Sequence, residues 1–303
     1  MKRNTHRLER DDPGRRAYRR GVLLIVLGSL SSSWIGLGVR MVEQASAWQI
    51  LVYRSFSLVV FLCLILALRR GVRFAGSFRK AGPVGLVGGV GLAVALSGGI
   101  IAIEKAPVAN ALFLLAAAPF MAALLGLVFL KEAVPSTTWL AIALAFAGIF
   151  IMVSDGLSLG YFWGSVAGLA TATGLAVYIF SLRWGRLNDM LPLSIIAGVL
   201  SFFTALAICL INGSSLVLSP NDLLISLAMG VFQLGIALVL ITEGSKTVPS
   251  ADIALLAMTE TVAAPLWVWL LLGEAVSPLT LMGGALVMLA ITFEALCGIR
   301  KRR

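Results

Sequence analysis

The chain alternates between long apolar stretches and short polar breaks along nearly its whole length. Each stretch holds about 20 residues, the length of helix that crosses ~30 Å of hydrocarbon. The breaks are rich in Pro, Gly, Asn and Asp, which typically end helices. The pattern predicts an all-α polytopic membrane protein with ten transmembrane helices, at residues 21–39, 47–68, 83–103, 106–130, 136–154, 162–181, 191–211, 221–242, 250–272 and 277–298.

The composition narrows the class of protein further. Hydrophobic residues make up 59% of the chain and charged residues only 13%. A soluble enzyme or a disordered chain needs far more polar surface, so both are excluded. The net charge of +10 comes mainly from basic clusters beside the apolar stretches, which favours contact with membrane lipids over binding to nucleic acid.

The Lys and Arg residues also orient the predicted helices. If the amino terminus is cytoplasmic, 21 of the 24 lie in cytoplasmic segments, whereas Arg40 and Lys105 lie outside and Arg54 lies within a span. Both termini are therefore predicted to be cytoplasmic, in a bacterial-type inner (plasma) membrane. The alternative is a signal peptide cleaved near Ala45-Ser46-Ala47, which is disfavoured because Arg40 and Glu43 precede that site.

Residues suited to catalysis or metal binding are scarce in this sequence. The single histidine, His6, lies in the basic tail, and the three cysteines lie in apolar stretches without CxxC spacing. This excludes a His-based metal centre within the membrane and any Ser–His or Cys–His pair there. We expect no cofactor and no catalytic residue, although an intramembrane lipid-modifying enzyme is kept as an alternative.

A shift of 142 residues superposes the two halves of the chain. It places Pro107 on Pro249, Asn110 on Asp252, and Glu132-Ala133-Val134 on Glu274-Ala275-Val276. Each half holds five predicted spans, so the two halves should be inverted relative to each other in the bilayer. Inverted repeats are typical of secondary transporters, with the substrate near the midplane; a duplication that merely gives a stable bundle is the alternative.

Several stretches are similar to the EamA-type drug/metabolite transporter superfamily and resemble most closely its aromatic amino-acid exporter branch. These stretches are Ala106-Pro107-Val108-Ala109-Asn110-Ala111, Ala118-Pro119-Phe120-Met121-Ala122-Ala123-Leu124-Leu125, Leu130-Lys131-Glu132, Leu272-Gly273-Glu274 and Tyr53-Arg54-Ser55-Phe56. One departure is that Thr261 replaces the repeat counterpart of Pro119, with Pro265 four residues later. The ninth span is therefore expected to bend at a different depth from the fourth.

The resemblance implies a basic tail at residues 1–20 and two five-helix repeats at residues 21–154 and 162–298. Spans one to four and six to nine would surround a central cavity, and spans five and ten would form a scaffold or a dimer face. The implied activity is export of small metabolites, with amino acids, including aromatic ones, as the favoured class. A drug or a nucleotide-linked metabolite is the alternative substrate, and protons and a second copy of the chain are left open as partners.

Two charged residues fall inside predicted spans, where a charge is costly. Glu260 lies about 15 Å into the ninth span, at 1.5 Å per residue, and either contacts a substrate ammonium group, switches protonation, or bonds a neighbouring helix as a neutral acid. Arg54 in the second span is assigned to gating or to the scaffold. It could steer a substrate carboxylate or pair within the scaffold, and snorkelling toward the interface would satisfy it.

Four further polar residues mark the ends of predicted spans. Glu132 and Glu274 follow the fourth and ninth spans and are expected to anchor loops. Asn110 and Asp252 open the same two spans, where each could line a gate or cap a helix. Asn110 is included among the predicted substrate contacts, whereas the other three are assigned to gating or structure.

Aromatic and hydroxyl side chains complete the predicted substrate site. A cavity with aromatic walls and hydroxyl donors suits an amphipathic ligand such as a large amino acid. The hydroxyls could equally bond backbone carbonyls one turn back. The predicted contacts, besides Asn110 and Glu260, are Ser33, Trp34, Thr173, Tyr178, Gln233 and Trp267.

Overall fold

The computed structural model describes residues 13–70, 74–131, 136–184, 191–248 and 250–300, and a few side chains within these ranges lie outside that description. Every regular element in the described residues is helical. The elements are α1 (Pro13–Ser32), α2 (Ile35–Met41), α3 (Ala47–Arg70), α4 (Phe74–Lys105), α5 (Val108–Leu115), α6 (Ala118–Leu130), α7 (Ser136–Ser158), α8 (Phe162–Trp184), α9 (Leu191–Ile211), α10 (Pro220–Ala228), a π-helical segment (Met229–Gly235), α11 (Ile236–Gly244), α12 (Ser250–Leu272) and α13 (Pro278–Arg300).

The apolar stretches form helices because a helix satisfies its own backbone hydrogen bonds, as hydrocarbon requires. Eight stretches of the described residues are long and apolar enough to cross a membrane, the first ending at Met41 and the last at Gly244. Two shorter apolar helical segments follow, at Thr259–Leu272 and Pro278–Phe293. A multi-span helical membrane protein is therefore the observed architecture.

Three of the apolar stretches are interrupted within their length. The first is broken at Ser33–Trp34, between α1 and α2, and the fourth at Ala116–Ala117, between α5 and α6. The eighth passes through the π-helical segment. Pro119 lies in the first turn of α6, where its missing N–H costs nothing. In the ninth stretch α12 continues as one helix through Pro265, and the bend expected there stays a prediction.

The two halves of the chain pack against each other through related pairs of helices. The 142-residue shift relates α1 to α8 and α4 to the segment that ends in α11. The close packing of α4 with α8 thus has its counterpart in the packing of α1 with α11. Two other pairs, α3 with α9 and α7 with α13, join each helix to its own counterpart. Buried apolar clusters around Leu51, Leu62 and Leu114 fill the space between these pairs.

Glycine allows the backbones to approach closely at these crossings. A Cβ atom on Gly91 of α4 would lie 2.7 Å from the carbonyl oxygen of Gly174 in α8, and one on Gly174 would lie 2.5 Å from that of Gly91. Gly148 and Gly283 form a similar pair between α7 and α13. Along the α4–α8 crossing Gly88 faces Ser181 and Gly98 faces Thr171, so these two helices are antiparallel.

Candidate functional site

The break after α1 leaves backbone carbonyl groups without helical partners, and side chains take the place of those partners. The Ser33 hydroxyl donates to the carbonyl oxygen of Leu30 at 2.7 Å. The Gln233 amide nitrogen, from the π-helical segment, donates to the carbonyl oxygen of Ser32 at 3.0 Å. The break is therefore stabilised by a residue 201 positions later in the chain.

The π-helical segment and the break satisfy each other's backbone groups. While Gln233 bonds a carbonyl at the break, the Ser31 hydroxyl donates in return to the carbonyl oxygen of Phe232. The same segment also packs directly on α3, because a Cβ atom on Gly230 would lie only 2.2 Å from the carbonyl oxygen of Arg54. Glycine at this position thus lets Gln233 reach Arg54. π-helical turns frequently occur at functional sites.

A chain of hydrogen bonds connects four elements at this point. Arg54 of α3 donates from Nη2 to Oε1 of Gln233 at 3.3 Å. Gln233 bonds the backbone of Ser32, whose hydroxyl donates to Oε1 of Glu260 in α12 at 2.7 Å. These contacts unite two charged side chains whose positions in sequence differ by more than two hundred residues. We refer to Arg54, Gln233, Ser32 and Glu260 as the polar network.

Arg54 lies deep in the protein, with only 2% of its surface exposed. It does not extend to the interface, so the snorkelling expected from the sequence is wrong: its guanidinium is held inward by Gln233. Gln233 and Ser32 connect Arg54 to Glu260, which carries a side chain of the opposite charge type. A buried charge without a partner of opposite sign would be strongly destabilising.

Among the described residues no cluster of three His, Cys, Asp or Glu side chains could hold a metal ion.

Two tryptophans lie next to the polar network. Trp34, at the break, stacks on Trp267 of α12 with ring centroids 5.5 Å apart and an interplanar angle of 26°. The Trp267 indole nitrogen donates to the Ser33 hydroxyl at 2.9 Å. Trp34 remains 47% exposed, so one part of the ring is available to a ligand. The predicted residues Ser33, Trp34, Gln233, Glu260 and Trp267 are therefore brought together.

A cavity of about 330 Å³ lies between the α2 and α10 halves of the first and eighth stretches. Its polar side chains are Ser31 and Gln233, and the rest of its lining is apolar. Its volume is at the lower end of the range for small-molecule sites. The lining residues are Ser31, Trp34, Leu37, Gly38, Met41, Ile225, Ala228, Met229, Phe232 and Gln233.

Three of the predicted substrate contacts lie apart from the polar network. Asn110 is buried and donates to the Ser165 hydroxyl at 3.5 Å, while Tyr178 packs in an apolar cluster with other buried side chains. Thr173 is exposed between buried neighbours on α8, and its hydroxyl donates to the carbonyl oxygen of Leu169 at 2.8 Å. The described contacts therefore do not join these residues to the polar network.

The residues assigned to gating or structure have different surroundings. One oxygen of Glu274 accepts from Nε of Arg40 at 2.8 Å, and the other accepts from the backbone nitrogen of Val108 at 2.8 Å. Glu274 thereby joins the end of α2, the start of α5 and the connection after α12. Glu132 lies outside the described residues, and the Asp252 side chain lies outside the description as well.

Sequence analysis missed several residues that shape this region. Gly230 and Phe232 were not predicted to contribute, and neither was Asp222, whose carboxylate is completely buried. Asp222 accepts hydrogen bonds from the backbone nitrogens of Glu43, Gln44 and Ala45. The Ser219-Pro220 sequence, two residues before it, was a visible helix-start signal. The long-range bonds had no signal in the sequence.

Comparison with known proteins identifies the family of this chain. Thirteen chains of solved structures match it. One of them, described only as a crystal structure of a protein, is 21% identical, covers 93% of this chain and 99% of its own length, and has a TM-score of 0.62. This likeness shows a shared fold. A search of curated proteins gives no match. The EamA-like transporter family matches residues 19–154 and 159–294, as two repeats, and the chain therefore belongs to the EamA-like transporter family of membrane proteins.

Proposed function

We propose that this transporter exports amino acids, including aromatic ones, by alternating access through a central site. The polar network is the observation that carries the proposal. It brings a carboxylate and a guanidinium together within the apolar stretches, and a stacked tryptophan pair lies beside it. Charged groups at such positions are expensive, and those that occur typically mark a substrate or ion pathway.

The amino-acid class follows from the chemistry of these groups. The Glu260 carboxylate, which holds one hydrogen bond from Ser32, suits a substrate ammonium group. The exposed ring surface of Trp34 suits an apolar or aromatic side chain, and a ring near an ammonium group adds cation–π attraction. A cavity of about 330 Å³ is of the size that a small solute requires.

The proposed topology has ten spans in two inverted five-helix repeats, with both termini cytoplasmic in a bacterial-type inner membrane. The packing between the halves supports this topology. Helix α4 of the first half packs on α8 of the second, and the repeat-related helices α11 and α1 pack on each other in the same way. The antiparallel direction of α4 and α8 supports it as well. Alternating access would then move one repeat against the other around the polar network.

The interrupted stretches supply places where such motion can occur. The last turn of α1, directly before the Ser33–Trp34 break, is hydrogen-bonded to the π-helical segment, and each of the two contributes a side chain to the polar network. Discontinuous helices at a binding site are typical of secondary transporters. A change in the occupancy of the site can therefore alter the angle between α1 and α2, or between α10 and α11.

A lipophilic drug is the second candidate substrate, favoured by the mostly apolar lining of the cavity. A nucleotide-linked metabolite is less well supported, because phosphate groups require several cationic side chains and the cavity lining contains none.

Flux measurements with purified protein in liposomes test the proposed function. Radiolabelled phenylalanine or leucine should leave or enter vesicles that contain the protein, and an imposed pH gradient shows whether protons take part. Glu260→Gln should lower the flux at least about tenfold, because a charged contact to the substrate is lost. Glu104→Gln, at the exposed end of α4, is the matched control.

Two outcomes would contradict the proposal. Unchanged flux in Glu260→Gln would remove Glu260 from the substrate site. Absence of flux for a panel of amino acids, with hydrolysis or transfer of a lipid group instead, would favour an intramembrane enzyme.

Labelling from outside tests the proposed topology. In a cysteine-free background, a membrane-impermeant maleimide should label Ser158→Cys and Ser214→Cys in intact cells. Lys246→Cys, the control on the opposite face, should react only after the cells are opened. Equal labelling of all three positions in intact cells would contradict the inverted arrangement.

A further inference from the structure

Arg54 has fewer hydrogen bonds than its buried position requires. A guanidinium carries five N–H donors. In the described part of the chain the Arg54 Nε atom is buried and has no hydrogen-bond partner, and the contact with Gln233 is long at 3.3 Å. Buried donors in native proteins are nearly always paired, and an unpaired donor on a cation is especially costly. This deficit indicates a site for an anion.

Gln233 separates Arg54 from the cavity between α2 and α10. Its side chain lines the cavity on one side and presents its amide oxygen to the guanidinium on the other. An amide group offers the guanidinium one neutral acceptor oxygen, in the position that one oxygen of a carboxylate would occupy. A carboxylate in its place would gain charge and a second acceptor oxygen, which allows bidentate contact with arginine.

We propose that Arg54 binds the carboxylate of the transported solute, with Gln233 holding that place when the site is empty. The inference rests on the proposed function, because it adds the anion contact to the same site. The ligand carboxylate replaces the Gln233 oxygen at Arg54, and rotation of one side chain opens the path from the cavity. The Gln233 amide nitrogen then serves as a donor to the bound carboxylate.

The arrangement also restricts the rest of the ligand. The remaining cavity wall is apolar, with Leu37, Met41, Ile225 and Met229 among its residues, so a second negative charge would lie against hydrocarbon. Glu260 carries the same charge as a carboxylate and disfavours a second one beside it. The site therefore selects solutes with one carboxylate and an apolar body over dicarboxylates such as aspartate or glutamate.

Binding of simple analogues to the purified full-length protein tests this site directly. The probes are phenylalanine, 3-phenylpropionate, which lacks the ammonium group, and phenethylamine, which lacks the carboxylate. 3-Phenylpropionate should raise the thermal unfolding temperature and compete with phenylalanine. Glutamate should do neither at the same concentration.

Gln233→Glu is the most informative variant, because it places a permanent carboxylate beside Arg54. It should bind 3-phenylpropionate at least about tenfold more weakly than the wild type, since the guanidinium is already occupied. Gln233→Glu also loses the amide donor to the Ser32 carbonyl oxygen, so its unfolding temperature is compared with that of Gln233→Leu, which loses the same donor and adds no charge. Gln233→Glu should unfold at the higher temperature of the two, because a buried cation gains an ion pair. A merely structural Gln233 would not produce this combination. Gln49→Glu, at an amide that bonds Ser215 away from the cavity, is the matched control.

Arg54→Lys keeps the charge and loses the planar fork, so it should weaken 3-phenylpropionate binding while it retains part of it. If the Arg54→Lys variant fails to fold, binding of 3-phenylpropionate by Gln233→Glu alone tests the anion site. Unchanged binding of 3-phenylpropionate by Gln233→Glu, or an unfolding temperature of that variant below that of Gln233→Leu, would overturn the proposed anion site.

The two proposals fail in distinguishable ways. Amino-acid flux without binding of 3-phenylpropionate, and with normal flux in Gln233→Glu, overturns the anion site and leaves the proposed function intact. Binding of 3-phenylpropionate that depends on Gln233, without any amino-acid flux, supports the anion site and contradicts amino-acid export.

Discussion

Two helix pairs that the repeat relates to each other are built differently. The α4–α8 pair is closely packed from Gly88 to Gly98, with backbones in near contact. Its counterpart is closely packed only where α1 meets α11, for example where a Cβ atom on Gly244 would lie 2.7 Å from the carbonyl oxygen of Gly21. Beyond the break at Ser33–Trp34, α2 and α10 are separated by a cavity.

The difference shows how one arrangement can provide both a scaffold and a binding site. Helix α8 and the part of α4 after its non-helical residue Gly82 stay in contact along their length. The break and the π-helical segment instead divide the other pair into a packed half and an open half. The polar network lies at the boundary between these halves. Divergence between two copies of a repeat is thus located at the interruptions of the helices.

Hydrogen bonds at the end of α2 and at the start of α10 stabilise the open half, in place of close packing between these two helices. Asp222, at the start of α10, accepts three backbone hydrogen bonds from the connection that follows α2. Arg40, near the end of α2, bonds Glu274 and the carbonyl oxygen of Ala106. α2 can therefore keep its position although it packs only sparsely against α10.

Gly174→Leu should have the largest effect, because it places a side chain against the backbone of α4. A Cβ atom alone would lie 2.5 Å from the carbonyl oxygen of Gly91, and backbone cannot move aside. Overpacking of this kind costs typically ~1–3 kcal/mol and occasionally more, so we expect a strongly lowered unfolding temperature and poor yield. Thermal unfolding in detergent measures it, and a wild-type temperature would show that the α4–α8 crossing is loose.

Asp222→Asn should come next, because it removes a charge that three backbone N–H groups share. Hydrogen bonds to charged groups contribute about 1.5–3 kcal/mol, and the carboxylate is completely buried. The same unfolding assay should show a clear loss, smaller than that of Gly174→Leu because Asn keeps one acceptor oxygen for these N–H groups. Asp155, another buried carboxylate that bonds Ser277 and Thr280, allows a parallel Asp155→Asn comparison.

Arg40→Gln should change access to the cavity more than it changes stability. The Arg40 and Glu274 side chains are 29% and 22% exposed, so their ion pair contributes at most about 1 kcal/mol. Loss of that amount raises the population of an open form by about fivefold. The rate of maleimide labelling of Leu37→Cys, a buried position in the cavity lining, should rise accordingly in a cysteine-free background. An unchanged rate would indicate that the Arg40 contact does not restrain α2.

Gly38→Ala should have the smallest effect on stability. The added methyl group would meet only the flexible Met229 side chain, at 2.8 Å from its Sδ atom. The unfolding temperature should stay within the range of ordinary surface substitutions, about ±0.5 kcal/mol, while the narrowed cavity weakens binding of phenylalanine. Gly91→Ala is the matched substitution at the closed pair and should cost more, because its nearest atom is a backbone carbonyl oxygen.

The positions of the apolar helices could be predicted from sequence because length and hydrophobicity decide them. Eight of the ten predicted stretches meet both criteria in the described residues, and the family match covers both predicted repeats. The break at Ser33–Trp34 could not be predicted, since neither Ser nor Trp is a strong helix breaker. The π-helical segment could not be predicted either, because its bonds to Ser31 and Ser32 connect residues about two hundred positions apart.

The candidate site was predictable in part for a similar reason. Glu260 and Arg54 stand out because charges within apolar stretches are rare. Their connection through Gln233 and Ser32 depends on how four helices meet. Tyr178 and Thr173 lie in α8, the repeat counterpart of the stretch that holds Trp34, yet the continuous helix α8 places Tyr178 in an apolar cluster. Sequence symmetry therefore predicts which helices correspond, not which of them carry the polar groups.

The π-helical segment at Met229–Gly235 fixes the number of residues that the eighth stretch must have. Each residue advances an α-helix by about 100° around its axis, so the surplus residue in a π turn rotates everything after it by that angle. Asp222, before the π-helical segment, accepts from the backbone of Glu43, whereas Gly244, after it, packs against the backbone of Gly21. Removing one amino acid from this turn would leave hydrophobicity unaltered and yet point one end of the helix away from its partner.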